Sequence, residues 1–376
     1  MTSRRQWHLS SLAALVGSVL LAACGGGGGD GPSVSRVISF GDSLSDLGTY
    51  APATSLAGTG AAPFFGGRFT TNTHTGYTAA SNNNIATIWV EWVAAKVGVP
   101  ITQASAGFAT TEVRCPAAAN PALATSCTAY GQGGSRVTDP NGIGRTGGAL
   151  TIPMTEQMDR HLTRFGSYRA DEIVFVYGGN NDIFLLFGAV GAGQLTPAAA
   201  SAAAQATAGQ LATLVKDKIL ARGATRVAVM TLPDASPTPA FSGLPTASKA
   251  LLTSLSADFN TALLAGLSGT AAQIIDARAL SGDAVANPSK YGFTNVTTAA
   301  CDPAKIALVT ANRVTDGSSL FCNAASGQAF NGLRTGASTS TWLFADGVHP
   351  TAGGHKAFGD QVIGKIKDFG WIPLNQ

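Results

Sequence analysis

Val34-Ser35-Arg36-Val37-Ile38-Ser39-Phe40-Gly41-Asp42-Ser43-Leu44-Ser45-Asp46 is the stretch from which the organisation of the chain can be read. Residues 34–40 form a short apolar run with β-branched members, ended by Gly41, and read as a buried strand. Glu172–Tyr177 repeats the pattern and stops at Gly178-Gly179; residues 226–232 give a third strand ending at Pro233, and 273–276 lead a fourth. Between them lie stretches with helical spacing: 85–97, with Ile88, Trp92 and Val93 on one side, the Ala-rich 197–221, the amphipathic 248–267, and 351–369 at the end. Strand and helix in alternation predict a parallel sheet covered on both faces. In such sheets the reacting groups collect beyond the carboxyl ends of the strands. No internal repeat or linker divides residues 34–376, which read as one α/β domain with two long irregular insertions, near 100–150 and 280–342.

Composition supports a large packed enzyme-like domain. Hydrophobic residues make up 45% of the 376 and charged residues 12%, so a sizeable core can be buried. The net charge of +3 comes from scattered basic residues. A stripe of Lys and Arg with interleaved aromatics is missing, which argues against nucleic acid as a partner.

The first residues read as an address. Arg4 and Arg5 precede an apolar run over 9–23, too short to span a bilayer comfortably and suited to a signal-peptide core. It closes on Leu21-Ala22-Ala23-Cys24, which resembles a bacterial lipobox whose Cys is lipidated, and a Gly-rich tether follows at 25–33. Acyl chains on Cys24 would anchor the protein stably in a membrane, at about 0.8 kcal/mol per buried methylene. The alternative is an ordinary secretory signal in which Cys24 is incidental. No other stretch reads as a membrane span. The expected location is the outer membrane as a lipoprotein, otherwise the periplasm or the medium. The four remaining cysteines, Cys115, Cys127, Cys301 and Cys322, agree with export, since an even number suggests two disulfides. Three connectivities are open, of which sequence-local pairing is favoured because each bond closes a short Gly/Ala-rich loop. No zinc-type spacing occurs, and no metal is expected.

Unusual residues stand at the strand ends. Ser43, just past a Gly on a tight turn, offers its hydroxyl and its own N–H to solvent, although Gly-Asp-Ser also serves as a helix N-cap. Asp346-Gly347-Val348-His349-Pro350 lies just before the last helix, with Pro350 suited to its first turn. Across that turn Asp346 can hold one imidazole nitrogen of His349 and leave the other outward as a base. His74, His161 and His355 lack such a local carboxylate and read as surface or core-edge residues. Asn180 and Asn181, after the second strand, present amides; Gly131-Gln132-Gly133-Gly134-Ser135 offers a backbone N–H whose close approach needs Gly. Gly142-Ile143-Gly144-Arg145-Thr146-Gly147 satisfies a dinucleotide fingerprint, but it follows a turn instead of a strand. No Gly-x-Ser-x-Gly elbow occurs.

In sequence order these segments resemble the blocks of the GDSL family of lipases and esterases, or SGNH hydrolases, over essentially the whole chain from Val34. Gly41-Asp42-Ser43-Leu44 matches the first block, Gly134 the second, Gly179-Asn180-Asn181-Asp182 the third, and 346–350 the last. Ser135 stands where Ala is more usual in the second block. The resemblance implies a flavodoxin-like α/β/α sandwich with a mainly parallel sheet. It implies Ser43 as nucleophile, His349 as base, Asp346 as its orienter, and an oxyanion hole from Ser43, Gly134 and Asn181. The reaction is then two-step acyl transfer from a carboxylic ester without cofactor. Water or an alcohol could accept the acyl group, and a surface binding lipoprotein that keeps the fold is the contrasting possibility. Phe64, Phe65, Phe69 and Phe108 are candidates to line the acyl pocket.

Overall fold

The computed structural model describes residues 33–54, 67–72, 88–325 and 331–374 of the protein. Cys24, the residues expected to form the signal and most of the tether, Phe64, Phe65 and His74 lie outside the described residues.

The strands are β1 (Arg36–Gly41), β2 (Thr102–Gln103), β3 (Ser105–Phe108), β4 (Thr111–Arg114), β5 (Cys127–Ala129), β6 (Glu172–Tyr177), β7 (Arg226–Met230) and β8 (Gln273–Ile275). Six of them form one sheet in the order β2-β5-β1-β6-β7-β8, and every pairing in it is parallel. β3 and β4 make a separate antiparallel hairpin. Setting aside the short edge strand β2, the order is that of the flavodoxin-like sheet, with the chain direction switching at β1 and β6. β6 is buried along its whole length, which is why its sequence is apolar without alternation.

The helices are α1 (Ala51–Thr54), α2 (Trp89–Lys96), α3 (Met154–Phe165), α4 (Asn180–Gly191), α5 (Pro197–Leu214), α6 (Thr246–Leu267), α7 (Ala277–Ala286), α8 (Pro303–Val309) and α9 (Ala352–Asp368). One face of the sheet packs a core in which Ala200, Ala204, Ala208 and Leu211 of α5 meet Leu252, Leu255 and Phe259 of α6. The opposite face packs Trp89, Val90 and Val93 of α2 with Val362, Ile363 and Ile366 of α9. The result is the expected α/β/α sandwich. By length and hydropathy α6 would reach across a bilayer, contrary to the expectation that no stretch after the leader would. Its Leu252, Leu255, Phe259 and Leu263 are spent on the core instead.

Two further expectations are corrected. The first insertion is not wholly irregular, since it supplies β2 and β5 to the sheet and the β3–β4 hairpin. Pro350 is not in the first turn of α9, because Thr351 is the N-cap and its hydroxyl accepts from the Gly354 N–H.

Candidate active site

The switch point of the sheet concentrates the singular residues. β1 and β6 approach so closely at their carboxyl ends that a Cβ on Gly41 would stand 2.1 Å from the Tyr177 carbonyl oxygen. Only glycine fits there, and beyond it a short 3-10 turn, Ser43–Ser45, carries Ser43 out of the strand. Loop 345–351 delivers His349 to the same point. Its Nε2 lies 2.9 Å from Ser43 Oγ, and its Nδ1 lies 2.9 Å from both carboxylate oxygens of Asp346. With Nδ1–H held against a carboxylate, Nε2 keeps its lone pair and accepts from the serine hydroxyl. Ser43 is 9% exposed, enough for its hydroxyl to meet a ligand in the adjoining cavity.

The electrostatics follow from burial and partners. Burial opposes charge on Asp346, but His349 and N–H bonds from Ser319 and Val348 outweigh it and hold the carboxyl well below the usual carboxylate range. Burial also disfavours the imidazolium of His349, yet the Asp346 charge prevails and lifts the imidazole above its ordinary value. Asp346 Oδ1 accepts from Val348 and His349 N–H at 3.0 and 2.8 Å, and Oδ2 from Ser319 N–H at 2.9 Å. Three backbone N–H groups and the imidazole thus hold this carboxylate in place.

A group of donors lines the cavity that Ser43 also lines. Gly134 and Ser43 line the same cavity, and among the described residues neither backbone N–H has a hydrogen-bond acceptor. Gly134 has φ +79°, and a Cβ there would stand 2.0 Å from the Ile143 carbonyl oxygen, so the loop closes only around a glycine. Asn181, in the first turn of α4, gives one amide hydrogen to the Ser135 carbonyl at 2.8 Å and keeps the other.

Supporting groups lie behind this row. Asp46 accepts from Gly48 and Thr49 N–H and, across the site, from Gly133 N–H at 2.8 Å. Tyr50 donates to the Gly133 carbonyl at 2.7 Å, so both polar groups of the residue before Gly134 are pinned. Asp182 receives Arg136 and the Val137 N–H, fixing the far side of the same loop. Asp46 and Asp182 stood inside the motifs but were not assigned a task by the sequence. Tyr50 and Ser319 carried no local signal.

The remaining expectations divide. Phe69 and Phe108 line the cavity, and the Phe69 ring sits 4.7 Å from that of His349. His161 and His355 are core residues, not surface or core-edge ones, and burial holds both near pKa 3. Residues 142–147 fold back on Gly134 as a wall of the cavity, Ile143 N–H donating to the Gly134 carbonyl. Cys115 bonds Cys127 and Cys301 bonds Cys322. Among the described residues no group of His, Cys, Asp and Glu could hold a metal ion.

The second disulfide reaches the site, because Ser319 sits in the segment between Cys301 and Cys322. With 21 residues of separation, its loss is expected to cost about 3 kcal/mol. Replacing both cysteines by serine is expected to lower Tm by roughly 4 °C in scanning calorimetry. It should also reduce activity below the new Tm, since the Ser319 clamp on Asp346 loosens. An unchanged Tm would mean that other contacts hold this loop.

The profile of the GDSL-like Lipase/Acylhydrolase family matches residues 37–362. The chain belongs to that family. The family match takes in every residue just described. No curated protein sequence matches the chain. One crystal structure aligns at 15% identity over 90% of this chain and 98% of its own, with TM-score 0.41. A carbohydrate acetylesterase from Sinorhizobium meliloti aligns at 14% identity over 89% and 99%, with TM-score 0.38. Both likenesses are too faint to add to the family assignment.

Proposed function

We propose that this GDSL-family acylhydrolase is a serine esterase that works through an acyl-enzyme on Ser43. The observation that carries the reading is the unbroken relay from Asp346 through His349 to the Ser43 hydroxyl, with 2.9 Å at each step. His349 takes the serine proton as the ester carbonyl is attacked, and Asp346 stabilises the imidazolium. The oxyanion falls between the N–H groups of Ser43 and Gly134 and the free amide hydrogen of Asn181. His349 then returns its proton to the leaving alcohol and activates the water that releases the acid. No metal or organic cofactor enters the scheme.

The relay opens into a cavity of about 1050 Å3 whose walls include Phe69, Phe108, Phe184, Phe293, Phe344 and Phe358. An acetyl group would leave most of it empty, so the substrate is an ester with a sizeable apolar part. Each methylene buried contributes about 0.8 kcal/mol, which is about fourfold in kcat/KM. The test is hydrolysis of p-nitrophenyl esters from acetyl to palmitoyl, where kcat/KM should climb by such steps until the cavity is full. A profile that is flat or falls from acetyl upward would sink the apolar-substrate reading. Asn181→Ala is expected to lower kcat by about 10²- to 10³-fold; a wild-type kcat would remove Asn181 from the oxyanion hole.

The further reading of the chain is a signal over 1–24 ending at a lipidated Cys24, a tether over 25–33 and the catalytic domain over 34–376. The two disulfides fit an oxidising compartment and support export. Mass spectrometry of the mature N-terminus tests the lipid anchor: a diacylglyceryl adduct on Cys24 supports it, and cleavage elsewhere refutes it.

A further inference from the structure

Asp42 and Asn180 take no part in the acyl transfer just described, yet both are buried at its centre, with exposures of 1% and 9%. Asn180 Nδ2 donates to Asp42 Oδ2 at 3.0 Å, and Asp42 Oδ1 accepts from the Leu44 N–H at 3.1 Å. One carboxylate thus grips the turn that carries Ser43 with one oxygen and the first turn of α4, which carries Asn181, with the other. Among the described residues this is the only hydrogen bond that joins residues 42–46 to α4. We propose that Asp42 and Asn180 form a positioning pair that sets the spacing between the nucleophile and the oxyanion amide. The inference rests on Ser43 and Asn181 acting as proposed above.

Three groups face Asp42 electrostatically. His349 favours its charge, Asp182 disfavours it, and Tyr177 is itself held neutral by burial with Asp42 nearby. Burial lifts Asp42 to about 6 despite the bonds from Asn180 and Leu44. The Asp42 charge in turn adds to the rise of His349. As pH falls through this region the pair changes from a charge-assisted hydrogen bond to a neutral one of about half the strength. The grip on the serine turn and the support of the imidazolium weaken together.

The test uses the full chain with p-nitrophenyl butyrate, following kcat, KM and the pH profile beside thermal melting. Asn180→Ala is expected to lower kcat about 10- to 100-fold with little change in KM. Asp42→Asn should move the acid limb of kcat/KM to lower pH, since His349 loses a neighbouring anion. Asn180→Asp sets two carboxyls face to face, so its acid limb should move up. The exchange Asp42→Asn with Asn180→Asp restores a donor facing a carboxylate while Leu44 keeps an amide oxygen to bond. It should recover at least about tenfold in kcat over either single variant. Folded variants with wild-type kcat and pH profile, or an exchange no better than its parents, would overturn the pairing. A wild type that neither hydrolyses esters nor takes a fluorophosphonate on Ser43 would overturn the acyl-transfer reading and this inference with it.

Discussion

Ester turnover is expected to fall by about 10⁴- to 10⁶-fold when Ser43 is replaced by alanine. The size follows from the relay, because without Oγ neither His349 nor Asp346 has a nucleophile to serve. What survives is the background provided by the oxyanion donors and the cavity acting on water. The fold should be untouched: among the described residues the Ser43 side chain makes one hydrogen bond, to His349, and no hydrophobic core cluster contains it. Steady-state hydrolysis with purified wild type and variant, circular dichroism and melting curves decide the matter. A variant that loses its structure says nothing about the nucleophile, so the informative result is loss of rate at unchanged Tm. A folded variant with near wild-type turnover would place the nucleophile elsewhere.

Asp346→Asn should cost about 10⁴-fold in kcat at neutral pH. The carboxylate accepts from three backbone N–H groups and from His349 Nδ1. An amide has one oxygen, so its NH2 must face either the Ser319 N–H or the Val348 and His349 pair, donor against donor. The imidazole also loses the partner that selects the Nδ1–H tautomer. The pH profile should change with it. In the wild type the base must be neutral, so activity is lost as pH falls through the His349 pKa. Burial alone would lower that pKa, and the Asp346 charge raises it above the free imidazole value. Removing the charge therefore shifts the acid limb to lower pH, even as the plateau collapses. An acid limb that stays in place would show that another group sets it.

The parts of the fold and site that could be read in advance have a common character. β1, β6 and β7 are continuous apolar runs long enough to stand out, and α5, α6 and α9 keep their helical spacing. Their ends fall within a few residues of expectation, apart from α5, whose last turns give way to a π segment over Val215–Ile219. The groups of the relay announced themselves because each sits in a run of turn-forming residues at a strand or helix end. What was hidden lacks those features. β2 and β5 have two and three residues, too short to show a period. α3 buries Gln157 and His161 beside Met154 and Met158, so polar side chains interrupt its apolar face. Gln157 is there to bridge both backbone groups of Gly41, a task visible only in three dimensions. α4 begins inside Gly-Gly-Asn-Asn, a sequence that reads locally as a turn. The Asp46 grip on Gly133 spans 87 residues and the Ser319 grip on Asp346 lies across a disulfide loop, so neither leaves a local trace.

Ser43 and His349 are separated by 306 residues, the proposed nucleophile lying just past the first strand and the proposed base in the loop before α9. At ordinary rates of synthesis, roughly 15–60 s pass between the appearance of one and of the other. Throughout that interval the chain holds an unactivated serine. On the proposed mechanism the relay is complete only once the loop before α9 is in place, so molecules clipped ahead of His349 are expected to be inert toward esters. On that reading the order of the chain itself delays activity until His349 has been made.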